Sequence, residues 1–189
     1  MPRIILEGAQ LFDGEGPLRS GVTLAIEGER ISEVGPDGSV KLRPGDTRIP
    51  LGERTLMPGM FSCHFHGSFD GATLDLFPLG IDKPPGYLML RAARAARLAL
   101  ESGFTSLIGA GGGDDLDAQL ALAIQDGLLE GPRITPCSRN LGTTSGYIDL
   151  DSWWWRLGNT GACRMLDGAD ECRKAVREEI KRGARMIKV

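Results

Sequence analysis

The sequence predicts an α/β protein with a small N-terminal antiparallel β layer, followed by about four β/α units that form the first half of a TIM-type (β/α)8 barrel. Two observations predict this fold. Residues 1–57 contain short β-rich runs that glycine and proline interrupt, and residues 58–189 alternate strands with helices. The first pattern is typical of antiparallel strands, and the second of parallel β/α units in an open doubly wound sheet or a closed barrel.

The N-terminal part contains three β-rich runs, RIILEGAQLF, VTLAIEGERISEVG and TRIPLGERTLMPG. Glu27-Gly28-Glu29 interrupts the second run, where a hairpin turn would be required. Turn residues such as Gly14, Pro36 and Pro44 separate the runs. We therefore expect residues 1–57 to form a small β-sandwich-like domain.

After Pro58-Gly59 the pattern changes to strand, helix, strand, helix, strand, helix, strand. The strands are MFSCHF, FTSLIGA, PRITPCS and ARMIKV, and the helices are GYLMLRAARAARLALESG, LDAQLALAIQDGLL and ADECRKAVREEIKRG. Asp114 or Asp115 is expected to cap the second helix, and the arginines of residues 91–97 to form a solvated face. An irregular stretch precedes the last helix and ends at about Asp167.

Two further features of residues 58–189 bear on the architecture. No GxGxxG motif follows the first strand, and GAGGGDD lacks the lysine of a phosphate loop, which favours the barrel over the doubly wound sheet. Val189 lies inside an apolar strand run. A half barrel would leave two unpaired sheet edges, so we expect the sequence to be the front part of a longer protein.

Composition restricts the partners and the compartment. The net charge is −3, so a general basic field that would attract nucleic acid or a membrane surface is not expected. The four cysteines have no close paired spacing, and no stretch approaches the length of a membrane span. We expect a folded, cytoplasmic protein without disulfide bonds, nucleic acid or membrane as partners.

The only two histidines, His64 and His66, lie two positions apart at the end of the first predicted barrel strand. Alternate side chains of a strand share a face, so both imidazoles point the same way while Phe65 points the other way. Imidazole pairs of this kind bind metal ions such as zinc, and parallel barrels carry their sites at the C-terminal ends of strands. Two structural histidines are the alternative interpretation.

The motif LMPGMFSCHFHG resembles the metal-dependent amidohydrolase superfamily, in which a Pro-Gly turn and an HxH pair open the barrel. The resemblance continues through ESGFTSLIGAGGG, LEGPRITPCSRNL and DGADECRKAVREEIKRGARMIKV, from about Ile4 to Val189. Among subfamilies the chain looks most like the prolidase-like group, which includes Xaa-Pro dipeptidases and enzymes that hydrolyse N-acyl or carbamoyl-type bonds.

This resemblance implies a site of two divalent metal ions, with zinc as the expected metal. His64 and His66 would bind the more buried ion, and Lys188 would carry a carbamate, derived from carbon dioxide, that bridges both ions. A metal-activated water would then hydrolyse a carbon–nitrogen bond of a small-molecule amide or dipeptide-like substrate. The family's other ligands and its catalytic aspartate lie on later strands, so this chain would hold no catalytic residue beyond its metal ligands.

Two alternatives stay open at this point. The chain could be a catalytically silent half-domain that pairs with a second half, or with itself as a homo-oligomer. It could also be a mononuclear deaminase-like relative, although such relatives usually lack the lysine that Lys188 matches. Because half of the family's ligand set is missing, the isolated 189 residues are expected to be weakly active or inactive.

The chain departs from the family pattern at several positions. Ser62 stands where many members carry aspartate, LIGAGGG lacks a common Arg-Asp pair, and Tyr147 stands where relatives often place histidine. Tyr147 and Trp154 are the candidate substrate-binding residues, although the tryptophan run 153–155 is more typical of packing or a subunit interface. Cys63 is expected to pack, and the remaining acidic loop residues are expected to cap helices or form turns: Asp70, Asp114, Asp115, Asp149 and Asp151.

Overall fold

The structure is a computed structural model that describes residues 2–69, 83–149, 152–154, 161 and 163–189. The chain divides into two compact units, Met1–Pro58 and Gly59–Val189. Strands alone build the first unit, and strands alternating with helices build the second. The predicted α/β class is therefore confirmed.

The first unit is one five-stranded sheet. Its strands are β1 (Arg3–Leu11), β2 (Arg19–Glu27), β3 (Arg30–Pro36), β4 (Thr47–Pro50) and β5 (Thr55–Leu56). The first three pair antiparallel, and the predicted hairpin turn lies at residues 28 and 29, between β2 and β3. β4 and β5 instead pair with β1 in parallel orientation. The sheet is mixed because the segment after β3 crosses to the free edge of β1, which is the connection that a parallel pair needs.

A buried arginine holds the start of β1 to the segment that precedes β4. The Arg3 guanidinium donates to both carboxylate oxygens of Asp46, to Glu33 and to the Lys41 carbonyl, at 2.6 to 3.2 Å. The hydrogen bond from Arg3 lowers the pKa of Asp46 to about 2. This network fixes the crossover segment, and nothing in the sequence pattern predicted it.

The second unit follows the predicted alternation closely. Its elements are β6 (Met60–Phe65), α1 (Pro85–Glu101), β7 (Phe104–Gly109), α2 (Leu116–Gln125), β8 (Arg133–Thr135), β9 (Cys137–Gly142), β10 (Cys163–Met165), α3 (Ala169–Lys181) and β11 (Met186–Lys188). All strand pairs among the described residues of this unit are parallel: β6 with β7, β7 with β8, and β9 with β10 and β11. Only Pro136 separates β8 from β9, so the two together occupy one strand position between β7 and β11. Four successive strand positions and the helices between them form the predicted first half of a barrel.

The main difference from the predicted elements lies after β9. The segment before α3 was expected to be irregular, but Cys163–Met165 forms β10, which pairs with the C-terminal half of β9. Three residues are too few for a periodic signal, because alternation becomes visible only over longer strands. Tertiary pairing therefore decides this element.

Helix α1 buries a face that is rich in alanine. Leu88, Ala92 and Ala96 are the buried residues of α1, as the periodicity predicted, and both alanines form a cluster with Leu120 of α2. Arg91 departs from the predicted solvated face, because it is half-buried and donates to the Ser68 carbonyl at 3.2 Å. None of the described helices is both long and apolar enough to cross a bilayer.

The predicted capping of α2 by a carboxylate was wrong. Asp115 occupies the N-cap position, but its backbone is left-handed, with φ of +57°, and its side chain makes no capping hydrogen bond. Its carboxylate instead accepts a hydrogen bond from Nε of Arg182, at 2.6 Å. The ion pair with the residue that follows α3 replaces the cap, and this tertiary partner is invisible in the local sequence.

A buried ion pair joins β9 to α3. Nε and Nη2 of Arg139 donate to Oε1 of Glu179 at 3.0 and 2.6 Å, and the Arg139 backbone N–H donates to Oε2 at 3.0 Å. The Glu179 side chain is fully buried, and that of Arg139 is 8% exposed. These three hydrogen bonds compensate the buried Glu179 carboxylate for the water that it loses on folding.

Replacing Glu179 by glutamine should strongly destabilise the second unit. The variant E179Q leaves the Arg139 guanidinium buried without its counter-charge, so we expect a loss of about 3 kcal/mol in the free energy of unfolding, measured by urea denaturation. The exposed Arg97–Glu101 pair is the matched control, and E101Q should cost about 0.5 kcal/mol or less. Equal losses in the two variants would contradict the assigned importance of the buried pair.

Candidate metal centre

The two histidines converge at the C-terminal end of β6. Their Nε2 atoms lie 3.0 Å apart, and the ring planes make an angle of 67°. Phe65 points away from them and lines a small cavity together with Leu98 and Ala99 of α1. The alternation that the sequence predicted for this strand end is therefore present.

The tautomer of His66 follows from its second ring nitrogen. Nδ1 lies 2.7 Å from the Gly111 carbonyl, and because a carbonyl only accepts, Nδ1 must carry the proton. A neutral ring then has its lone pair on Nε2, directed toward His64. Burial lowers the pKa of His66 against the opposing effect of the Gly111 bond, and the charges of His64 and Lys188 lower it further.

Three neighbouring strands hold His66 in this orientation. Its ring stacks on Phe69 at 4.1 Å between centroids, nearly parallel. Gly111, just after β7, has φ of +94°, and a Cβ added there would lie 2.7 Å from Oδ1 of Asn140 on β9. Only glycine combines this backbone angle with so close an approach. The carbonyl that orients His66 is thus itself fixed between β7 and β9.

Lys188 lies at the end of β11, in register with Asn140. Its backbone N–H donates to Oγ of Ser138 at 2.9 Å, and its positive charge is the smallest of the causes that lower the pKa of His66. The fourth strand therefore ends beside Asn140, whose side chain lies against Gly111. A role of Lys188 as a metal ligand stays a prediction.

The histidine pair fits a divalent cation. Two nitrogens at about 2.0 to 2.1 Å from one zinc ion and 3.0 Å from each other would subtend an angle of about 95° at the metal. A metal-binding histidine usually donates its other N–H to a carbonyl or carboxylate, as His66 does to Gly111. Among the described residues, no group of three or more His, Cys, Asp or Glu side chains could hold a metal ion.

The predicted substrate-binding residues are not brought to this site by any polar or ring contact among the described residues. Tyr147 is 82% exposed in the turn region after β9, and Trp154 is 70% exposed and packs edge-on against Trp153. Trp155 lies outside the described residues, as do Asp70 and Asp151. Their predicted roles stay predictions.

The other predicted loop residues have local partners. The Asp149 carboxylate accepts the Ser145 backbone N–H at 2.8 Å, which confirms its predicted turn-forming role. Cys63 is exposed rather than packed, so its predicted packing role was wrong. The hydroxyl of Ser62 lies 3.5 Å from the His64 carbonyl, and thus contacts the backbone rather than the imidazole.

Sequence reasoning missed a half-buried carboxyl group at the start of α2. Oδ2 of Asp117, in the first turn of α2, accepts the Cys137 N–H at 2.6 Å, and Oδ1 accepts the N–H of Ala118. Burial raises the pKa of Asp117 to about 6 against these hydrogen bonds. No local pattern in the sequence marked this role, because Asp117 and Cys137 are 20 residues apart.

Comparisons with known proteins agree with this architecture. Residues 55–189 match the model of the amidohydrolase family. The chain is 30% identical to ochratoxinase of Aspergillus niger, over 98% of this chain and 41% of that protein. A crystal structure of a prolidase complexed with N-methylphosphonate-L-proline superposes with a TM-score of 0.82 at 34% identity, and that of A. niger ochratoxinase with 0.76 at 29%. The alignments cover 98% of this chain, which spans 46% of each solved chain and thus less than half of each relative.

The contact between Gly111 and Asn140 should make alanine costly at position 111. The variant G111A places a Cβ against the amide of Asn140 at a positive φ, and we expect a loss of about 2 kcal/mol in the free energy of unfolding. Gly127 has φ of +73° with no atom within 4 Å of an added Cβ. The variant G127A therefore measures only the cost of alanine at a positive φ, about 1 kcal/mol in the free energy of unfolding. Urea denaturation that finds G127A as costly as G111A would contradict the packing argument.

The titration of Asp117 should be visible as pH-dependent stability. Its folded pKa of about 6 exceeds the unfolded value of about 3.9, so its contribution is fully present below pH 4 and lost as the pH rises through 6. The unfolding free energy of D117N minus that of the wild type should therefore rise by about 2 kcal/mol between pH 4 and 7. We compare the two proteins, rather than follow the wild type alone, because the lowered pKa of His66 makes stability rise with pH and would mask the effect of Asp117.

Asp126, an exposed carboxylate at the other end of α2, provides the control D126N for the change of charge. Denaturation curves at a series of pH values supply the measurement. A difference between D117N and wild type that does not vary with pH would show that Asp117 does not titrate as described.

Proposed function

Because the chain belongs to the amidohydrolase family, we propose that it supplies the first half of a metal-dependent hydrolase that cleaves carbon–nitrogen bonds. The main support for this proposal is that the Nε2 atoms of His64 and His66 lie 3.0 Å apart, and that the Gly111 carbonyl sets the tautomer of His66. In this proposal residues 58–189 hold the site, and residues 1–57 form a separate small domain. The expected complement is two divalent ions, with zinc as the expected metal.

In this proposal the two histidines bind the metal, and their neighbours keep them oriented. His64 and His66 present two nitrogen lone pairs, and the stacked Phe69 ring together with the Gly111 carbonyl keeps the His66 ring from rotating. Bound divalent cations supply a water of lowered pKa and polarise the scissile carbonyl. Holding the ligands rigid before the ions bind avoids the entropic cost of ordering them afterwards.

Lys188 would supply the anionic ligand after carboxylation. The unprotonated Nζ attacks the carbon of carbon dioxide, a new N–C bond forms, and one proton leaves to solvent, so the product is a carbamate with one negative charge. Loss of the ammonium proton before this step removes a cation that would repel the metal ions, and the carbamate then provides two oxygen donors. The register that pairs Lys188 with Asn140, whose side chain lies against Gly111, supports the required proximity.

The substrate would be a small amide or a dipeptide-like molecule. Two similar proteins are described as a prolidase complexed with N-methylphosphonate-L-proline and as an ochratoxinase. Tyr147 follows the C-terminal end of β9, and loops at that end of parallel strands form the active sites of barrels. We propose Tyr147 and Trp154, both exposed, as substrate contacts. The four free cysteines are in keeping with a cytoplasmic location, which is also part of this proposal.

Metal binding by the chain tests the central claim. Zinc chloride titrated into this chain in metal-free form should bind at one site, because the further ligands that the family resemblance assigns to the second ion lie on later strands. H64A and H66A should each weaken that affinity more than tenfold, as measured by calorimetry. C63A is the matched control, because Cys63 lies beside His64 on the strand and should leave the affinity unchanged.

A protein in which this chain is joined to the second half of the barrel is then assayed for amine release from N-acyl amino acids and Xaa-Pro dipeptides, with chelator-treated protein as the reference. Hydrolysis that survives complete metal removal would contradict the proposed mechanism. Zinc affinity that is unchanged in both histidine variants, or lost in C63A, would contradict the proposed site.

A further inference from the structure

We propose that Ser138 is a positioning residue for Lys188: at a bulge in β9, its buried hydroxyl holds the lysine backbone so that the amine faces His66. The inference rests on the proposed function, in which Lys188 becomes a metal ligand. It adds a residue to which neither the composition nor the family resemblance assigned a role.

The first observation is a shift of register between β9 and β11. Met186 pairs with Cys137, and Lys188 pairs with Asn140. Two steps along β11 therefore correspond to three steps along β9, which leaves one extra residue on β9, at Ser138 or Arg139. Bulges of this kind are rare in parallel pairs, and they are over-represented beside active sites, where they redirect a side chain.

The second observation is that the Ser138 hydroxyl forms the hydrogen bonds at the bulge. The Lys188 N–H, which a backbone carbonyl would accept in a regular ladder, donates to Oγ of Ser138 at 2.9 Å. The same hydroxyl donates its proton to the Arg139 carbonyl at 2.7 Å. A hydroxyl has one proton and two lone pairs, so both bonds form at once. Ser138 is 1% exposed, so no water competes for either bond.

The third observation is that Glu179 of α3 binds the bulged segment on the helix side of the sheet. The backbone N–H of Arg139 donates to Oε2 of Glu179 rather than to a neighbouring strand, and the Arg139 guanidinium donates to Oε1. The bulged segment thus has a partner on the helix side and a partner on the β11 side. Its shape does not depend on the flexible loops around the site.

The consequence for Lys188 follows from strand geometry. A slip of one residue between paired strands turns every side chain of the slipped strand to the opposite face. The Ser138 bond fixes the register at which Lys188 lies beside Asn140, whose own side chain packs against Gly111. The hydroxyl therefore helps to decide whether the amine faces the histidine pair or the helix layer.

The test compares S138A with S138T, which retains a hydroxyl, and with S106A. Ser106 is a matched control because it is also a strand serine whose hydroxyl accepts a hydrogen bond, from Nη2 of Arg133. The first measurement is hydrogen exchange of the Lys188 amide by NMR, with the Arg139 amide as internal reference. We expect exchange to accelerate at least tenfold in S138A at Lys188 alone, and to be slow again in S138T.

The second measurement is the gain in zinc affinity on adding bicarbonate, which reports carboxylation of Lys188 and should vanish in K188R. In S138A this gain should fall at least fivefold, while the affinity without bicarbonate, which the histidines determine, stays unchanged. S106A should behave as wild type in both measurements.

The outcomes separate the two proposals. Wild-type exchange at Lys188 in S138A, or a full bicarbonate gain in that variant, overturns the positioning role of Ser138. A wild-type protein without any bicarbonate gain instead refutes the carbamate role of Lys188, and the exchange rates then decide the positioning role by themselves. Loss of zinc binding in H64A and H66A is independent of both results.

Discussion

The hydrogen bond from Nδ1 of His66 to the Gly111 carbonyl is the interaction on which the site depends. It joins the end of β6 to the segment after β7, and it decides which nitrogen of the ring keeps a lone pair. Without it, the ring could rotate about its side-chain bonds, and either tautomer would be available. The glycine that presents the carbonyl is in turn confined by Asn140, so one bond connects three strands.

A second constraint comes from Pro136, which interrupts the third strand position. Proline has no N–H to donate, and Pro136 lies at the point where β8, which pairs with β7, ends and β9, which pairs with β10 and β11, begins. The following groups find partners elsewhere: the Cys137 N–H on Asp117 of α2, the Arg139 N–H on Glu179 of α3, and the Ser138 hydroxyl on the Arg139 carbonyl. The segment that leads to the site is thus held by buried polar groups of the helix layer, which have strict geometry, rather than by apolar packing alone.

The sequence predicted the order of elements and the histidine pair because both depend on local periodicity. Alternation along β6 places His64 and His66 on one face, and the small residues of α1 mark its buried side. The cap of α2, the short strand β10 and the raised pKa of Asp117 depend on partners distant in sequence. Lys188 is an intermediate case, because only the family resemblance distinguished it from an ordinary strand-end lysine.

The departures from the family pattern acquire a physical interpretation in this structure. Ser62 contributes only a weak contact to the His64 backbone, so the charge that an aspartate would bring is missing on that side. His66, in contrast, is held through a backbone carbonyl and an aromatic stack, neither of which needs a charged neighbour. Orientation by neutral groups leaves the imidazole less basic than a carboxylate partner would make it. Rigid placement of the ring would compensate, because a ligand that is already ordered loses little freedom when a cation binds.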